Sequence, residues 1–268
     1  MYPVLISYGP ILLSTLWLMV VIGFTIACVF MMQLALRVKL KLYFFRIYFF
    51  RILLWGFLFA RMVFILENIN FYFANFGFGT ILKLASFWDK GLSFWGGIIG
   101  IAAAFIFYAR KKNENIMKWM DVLAVSISSG MIFGYLGAFF GGVAYGKPTE
   151  LPWGIVLENI DIPYTTAIHP VQIYGAIFML ILTILLTIIL LKIKLKDGTV
   201  MLIGIILYSI FRFFEEFLRG DNAAVFLNLR YAQWITLAVF IISLIFLIKM
   251  YNLMEKLRKY LKKIKHHE

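Results

Sequence analysis

The chain is poor in what a water-soluble fold uses to face solvent. Of its 268 residues, 15% are charged, 13 are acidic, three are histidine, six are proline and one is cysteine. A soluble domain carries charge on about a quarter of its residues and apolar side chains on about half. Here 63% are hydrophobic, 18% are aromatic and the mean hydropathy is +0.92. A water-soluble fold and a disordered chain are both excluded. The lone cysteine, Cys28, sits midway along an apolar run, so an intramolecular disulfide, a CxxC pair and a thiolate metal cluster are excluded too. The first apolar run has no basic flank before it and no small-residue cleavage site after it, so no cleaved leader is expected.

What the chain does have is long apolar runs. A helix needs about 20 apolar residues to cross the hydrocarbon core, and seven segments qualify: 11–32, 43–66, 92–109, 120–144, 171–191, 199–218 and 231–250. The expected fold is all-α, a polytopic membrane protein of seven transmembrane helices. Residues 1–250 form one transmembrane domain, and 251–268 form a basic amphipathic tail. In that tail Met250, Met254, Leu257, Leu261 and Ile264 repeat at helical spacing among lysines. Such a helix suits the inner membrane surface, with a partner protein as the alternative.

The formal net charge of +13 would point to nucleic acid in a soluble protein. Its distribution points elsewhere. Seventeen of the 26 Lys and Arg fall in alternate connections and the tail: Arg37 to Lys41, Arg110 to Lys118, Lys192 to Lys196, and Lys249 onward. The intervening connections hold only Lys83, Lys90, Lys147, Arg219 and Arg230. Positive charge accumulates on cytoplasmic loops, so the N-terminus is expected outside and the C-terminus in the cytoplasm. A nucleic-acid partner is not expected.

Ionised side chains inside a span each cost about 2.5–3.5 kcal/mol on insertion scales and need a reason. Arg61 lies near the outer end of the second span, where it either snorkels and pairs or binds a ligand. On the sixth span Arg212, Glu216 and Arg219 are spaced i, i+4, i+7 on one stripe, and Glu215 is expected to point elsewhere. Two cations around one carboxylate would leave positive charge for a phosphate or carboxylate. A self-satisfied network of charges is the alternative. The fourth span holds six glycines between Gly130 and Gly146. Gly134, Gly137, Ala138 and Gly141 give it a small-residue face, for helix packing or for backbone lining a cavity.

His169 precedes Pro170 and the fifth span, as a cap or as a base or phosphate donor. The connection at 145–170 holds four of the six prolines and is long enough to form a cap. The topology puts Arg61, Ser93 to Gly97, Gly134 to Gly146, His169, Gln172, Tyr174, Arg212, Glu216 and Arg219 in the outer half of the membrane. Such a gathering suits an outward-facing cavity with an anion-binding wall.

Five segments carry a family resemblance. They are Gly91-Leu-Ser-Phe-Trp-Gly-Gly-Ile-Ile-Gly100, Gly134 to Gly154, His169-Pro-Val-Gln-Ile-Tyr174, Arg212-Phe-Phe-Glu-Glu-Phe-Leu-Arg219, and Gln233-Trp234. In this order, on such spans, they resemble the phosphatidylglycerol:prolipoprotein diacylglyceryl transferase family of the bacterial plasma membrane. The resemblance implies transfer of the diacylglyceryl group of phosphatidylglycerol, or a related anionic phospholipid, to the lipobox cysteine thiol in a prolipoprotein signal peptide. It implies no metal and no organic cofactor. The residues expected to be catalytic are His169, as base or orienter, and Tyr135, bonding the phosphate. Those expected to bind substrate are Arg61, Gly134, Gly137, Gly142, Gln172, Tyr174, Arg212, Glu216 and Arg219.

Several polar positions depart from the family pattern. Trp95 stands for a histidine, Tyr135 for an arginine, Ala138 and Gly141 for asparagines, and Val143 and Gly175 for glutamates. A catalytically impaired lipid- or lipoprotein-binding protein on the same scaffold is the alternative function.

Overall fold

Long apolar runs become helices in a membrane because each backbone N–H and C=O then finds its partner within the segment. The computed structural model describes residues 4–8, 11–73, 91–157 and 162–265. Among them, eight helices dominate: α1 Thr15–Arg37, α2 Leu42–Glu67, α3 Ile69–Phe73, α4 Phe94–Lys111, α5 Ile116–Gly141, α6 Val171–Lys192, α7 Thr199–Leu218 and α8 Tyr231–Lys265. Six are long and apolar enough to cross a membrane: α1, α2, α4, α5, α6 and the Tyr231–Asn252 part of α8. The remaining long helix, α7, spans 20 residues and includes Arg212, Glu215 and Glu216.

Two antiparallel ribbons were not expected from the sequence. Strand β1 (Val4–Tyr8) pairs with β2 (Ile11–Ser14), and β3 (Val225–Phe226) pairs with β4 (Leu229–Arg230). The first helix consequently starts at Thr15, later than the 11 read from hydropathy, and runs on to Arg37. The physical reason is that a short apolar stretch reads equally well as strand or buried helix. Helix α5 ends at Gly141, short of the expected 144, where Gly142 (φ 69°) and Ala144 (φ 58°) turn the chain out of helical geometry. Helix α8 runs through the boundary expected at 250 without a break, for 35 residues. Lys83 and Lys90, which entered the charge count, and the last tail residues 266–268 lie outside the described residues.

The chain divides into two compact units, Lys39–Ile116 and the remainder. In the Lys39–Ile116 unit, α2 packs against α4 through small residues. A Cβ on Gly96 would sit 2.7 Å from the Phe59 carbonyl, and one on Gly100 would sit 2.8 Å from that of Trp55. Ser93 starts α4, its hydroxyl accepting from Gly96 N–H and donating to Glu67 Oε1 at 3.0 Å.

The other unit holds α1 and α5 to α8. A Cβ on Gly130 of α5 would meet the Gly23 carbonyl of α1 at 2.8 Å, and of the expected small-residue face Gly137 packs on α1, where a Cβ would lie 2.8 Å from that of Met19, while Gly134 and Ala138 line a cavity. The described residues of the expected cap, 145–157 and 162–170, hold a small core of Leu157, Ile162 and Ile168. The cap is tied to the end of α7 by Lys147 N–H to Leu218 O at 2.8 Å and Gly220 N–H to Tyr145 O at 2.9 Å. Pro170 is itself the N-cap of α6, one place before the first helical turn expected for it, and His169 lies next to the cap.

Asp121 is 2% exposed in α5. Its carboxylate accepts from the backbone N–H of Gly198 at 2.7 Å and of Met201 at 2.8 Å, capping the first turn of α7 from a neighbouring helix. Replacing Asp121 by Ala is expected to lower unfolding stability in detergent by about 2 kcal/mol, since two charge-assisted bonds are lost. Asp121→Asn, which keeps one acceptor, should lose about half as much; equal melting curves for both variants and the parent would refute this capping role.

Candidate functional site

The last two turns of α7 gather charges of both signs. Positions i, i+3 and i+4 of a helix share a face, so Arg212 reaches two carboxylates: Nη1 donates to Glu215 Oε2 at 2.5 Å, and Nη2 meets Glu216 Oε1. Arg219, at the end of the helix, lies 3.5 Å from the same Glu216 oxygen and holds Asp221 through Nε at 2.9 Å and Nη2 at 2.6 Å. Arg230, from β4, places Nη1 3.0 Å from Glu216 Oε2 and bonds Asp221 through Nη2 at 3.0 Å. Burial raises the Asp221 carboxyl, but hydrogen bonds from Arg219 and Arg230 prevail and hold it below the usual carboxylate range.

Three guanidiniums thus face three carboxylates. This corrects two expectations. The stripe has no surplus of positive charge, and Glu215 points into the cluster rather than away from it. Reading α7 as i, i+4, i+7 passed over the i+3 position, and Asp221 and Arg230 reach the cluster only because the chain turns back after the helix.

Beside this network lies a cavity of about 270 Å³ lined by Gly134, Tyr135, Ala138, Gln172, Tyr208, Arg212, Glu215 and Arg219, among others. Tyr135 donates to Glu215 Oε2 at 3.1 Å. Gln172 is 1% exposed; its Nε2 donates to Val143 O at 2.9 Å, while its Oε1 has no hydrogen-bond partner among the described residues. A second cavity, about 290 Å³ and almost wholly apolar, lies between α5, α6 and α7. Met131 and Tyr208 border both cavities.

Tyr208 was missed by sequence reasoning, although it stands four residues before Arg212 and so on the same face of α7. The other expected residues divide. Gly134 lines the polar cavity with nothing within 4 Å of where its Cβ would be. Gly137 packs on Met19 and Leu16 of α1, and Gly142 serves the turn that ends α5. His169 and Tyr174 do not border the cavity. They form a cluster with the cap, in which Trp153 Nε1 donates to the Tyr174 hydroxyl at 2.8 Å and that hydroxyl lies 3.4 Å from His169 Nδ1. Arg61 belongs to the Lys39–Ile116 unit, where Nη1 donates to Gly91 O at 3.0 Å and the guanidinium lies over the rings of Phe64 and Tyr72. Trp95, in the same unit, is 63% exposed.

Two departures from the family pattern are one event in space. The Tyr135 ring lies against Gly175, so closely that any Cβ there would overlap it. A tyrosine at 135 requires a glycine at 175. Gly175→Ala is therefore expected to destabilise the fold by about 1–3 kcal/mol through overpacking. Adding Tyr135→Ala should remove most of that loss; a double variant no better than Gly175→Ala alone in a denaturation series would break the coupling.

The model of the family described as prolipoprotein diacylglyceryl transferase matches residues 3–249. Three curated relatives carry the name phosphatidylglycerol–prolipoprotein diacylglyceryl transferase. One from Clostridium tetani is 36% identical over 58% of this chain and 62% of its own. One from Finegoldia magna is 30% identical over 71% and 72%, and one from Polynucleobacter asymbioticus is 32% identical over 65% and 66%. The chain thus spans about two thirds of the length of the curated relatives it matches. A match along almost the whole chain, in a protein whose polar cavity adjoins an apolar one, has one reading: this chain belongs to the prolipoprotein diacylglyceryl transferase family.

Proposed function

We propose that the protein moves the diacylglyceryl group of phosphatidylglycerol to the lipobox cysteine thiol of a prolipoprotein at the outer leaflet of the bacterial plasma membrane, forming a thioether and releasing glycerol phosphate. The observation that carries this reading is the pair of adjoining cavities. A polar chamber with Tyr135, Gln172, Arg212 and Arg219 on its wall meets an apolar chamber across Met131 and Tyr208. A phospholipid needs such a pairing, with guanidinium donors at the phosphate and hydrocarbon walls at the acyl chain.

In this reading Arg212 and Arg219 bind the headgroup, Glu216 holds both in place, and Tyr135 and Gln172 complete the polar wall. Gly134 lets the lipid approach the backbone. His169, with Tyr174 against its Nδ1, acts at the cap, on the side of the incoming thiol. The topology that supports this has α7 as a seventh span within one domain over 1–250. The N-terminus is outside, Arg61 is in the outer half, and the basic tail of 251–268 is in the cytoplasm. An alkaline phosphatase fusion after Glu268 should be inactive and a green fluorescent protein fusion there bright; the reverse pattern would overturn the orientation.

A second reading, lipid or lipoprotein binding without transfer, is favoured by one observation: both Nη groups of Arg212 already rest on carboxylates. One experiment separates the two. Purified protein incubated with phosphatidylglycerol and a lipobox peptide should yield the thioether and glycerol phosphate, and Arg212→Ala should lower the rate about 10²–10³-fold, as loss of a donor to developing phosphate charge does. Retention of lipid with no product would establish the binding reading in its place.

A further inference from the structure

The two carboxylates on the last turn of α7 differ in what they hold. Glu216 is 3% exposed, is not among the cavity-lining residues, and meets Arg212, Arg219 and Arg230 together. Taking it away would cost all three arginines a partner at once. Glu215 is equally buried but lines the polar cavity, meets the single guanidinium of Arg212, and shares its Oε2 with the Tyr135 hydroxyl. One carboxylate is a strut. The other is a single anion resting on the cavity face of a cation.

A guanidinium binds carboxylate and phosphate oxygens in the same forked geometry, so the two compete for the same edge. With Glu215 in place the local charge is balanced, three against three. An anionic headgroup entering the chamber then gives it a net charge of one negative, whereas a zwitterionic headgroup leaves it neutral.

We propose that Glu215 is a resident counter-ion that a lipid phosphate must displace from Arg212, and that this carboxylate sets how strongly the site discriminates against anionic relative to zwitterionic headgroups. The proposal rests on the reading of this chamber as a lipid-headgroup site. Tyr135 has a part in the exchange: its hydroxyl remains bonded to Glu215 when the guanidinium is taken by phosphate, so the displaced carboxylate is not left buried without a partner.

The two residues therefore predict shifts of opposite sign. Glu215→Gln removes the charge and keeps the shape, and is expected to tighten phosphatidylglycerol binding by about tenfold, in the range seen for close charge pairs, and phosphatidylethanolamine binding by less, because its phosphate gains the same guanidinium while its ammonium loses a nearby anion. Tyr135→Phe strips the displaced carboxylate of its second partner and is expected to weaken phosphatidylglycerol binding severalfold. Both are read by native mass spectrometry of the purified full chain titrated with the dioctanoyl forms of the two lipids, with melting curves confirming that each variant is folded.

A variant carrying Glu215→Gln that binds phosphatidylglycerol no more tightly than the parent, or that gains equally for both lipids, overturns the counter-ion role while leaving the lipid site standing. A parent protein that binds neither lipid removes the lipid reading itself, and this proposal with it. A merely structural role for Glu215 cannot yield a gain in affinity that is larger for the anionic lipid.

Discussion

The Glu216 carboxylate, in contact with three arginines from α7, its C-terminal end and strand β4, is the contact on which the rest of the site depends. An ionised group in an apolar medium is tolerated when it is paired and its remaining acceptor or donor sites are used. Glu216 meets that condition with both oxygens, Asp221 meets it against two of the same arginines, and Glu215 meets it against the third. The result is a helix end that carries charge and stays buried. It also fixes where α8 begins, because Arg230 is the last residue before Tyr231.

That arrangement shapes the chamber beside it. Arg212, Glu215 and Arg219 form its charged wall, Tyr135 and Gln172 its neutral polar wall, and Tyr208 the border with the apolar cavity. The cap adds a further layer through backbone bonds from Tyr145 and Lys147 to the end of α7. Charge, chamber and cap are held by one helix terminus, so a change at any of them is felt by the others.

The departures from the family pattern gain meaning from this geometry. The Tyr135 ring takes up the room beside Gly175. The tyrosine hydroxyl then engages Glu215, which in turn engages Arg212.

Much of the helical frame was legible in the sequence. Runs of about 20 apolar residues can satisfy their backbone only as helices, and α2, α4, α6 and α7 begin and end within two residues of where hydropathy put them. The start of α6 beside Pro170 was legible for a similarly local reason. What tertiary structure alone decided is how charges and rings are shared between elements distant in sequence. Asp221 and Arg230 neutralise the α7 stripe because the chain folds back after Leu218. Tyr135 meets Gly175 because α5 and α6 pack side by side. His169 turns to Tyr174 and Trp153 instead of the chamber because the cap draws it there. Local periodicity fixes which face of a helix a residue occupies; which partner waits on that face is set by packing between helices, and no spacing within one segment encodes it.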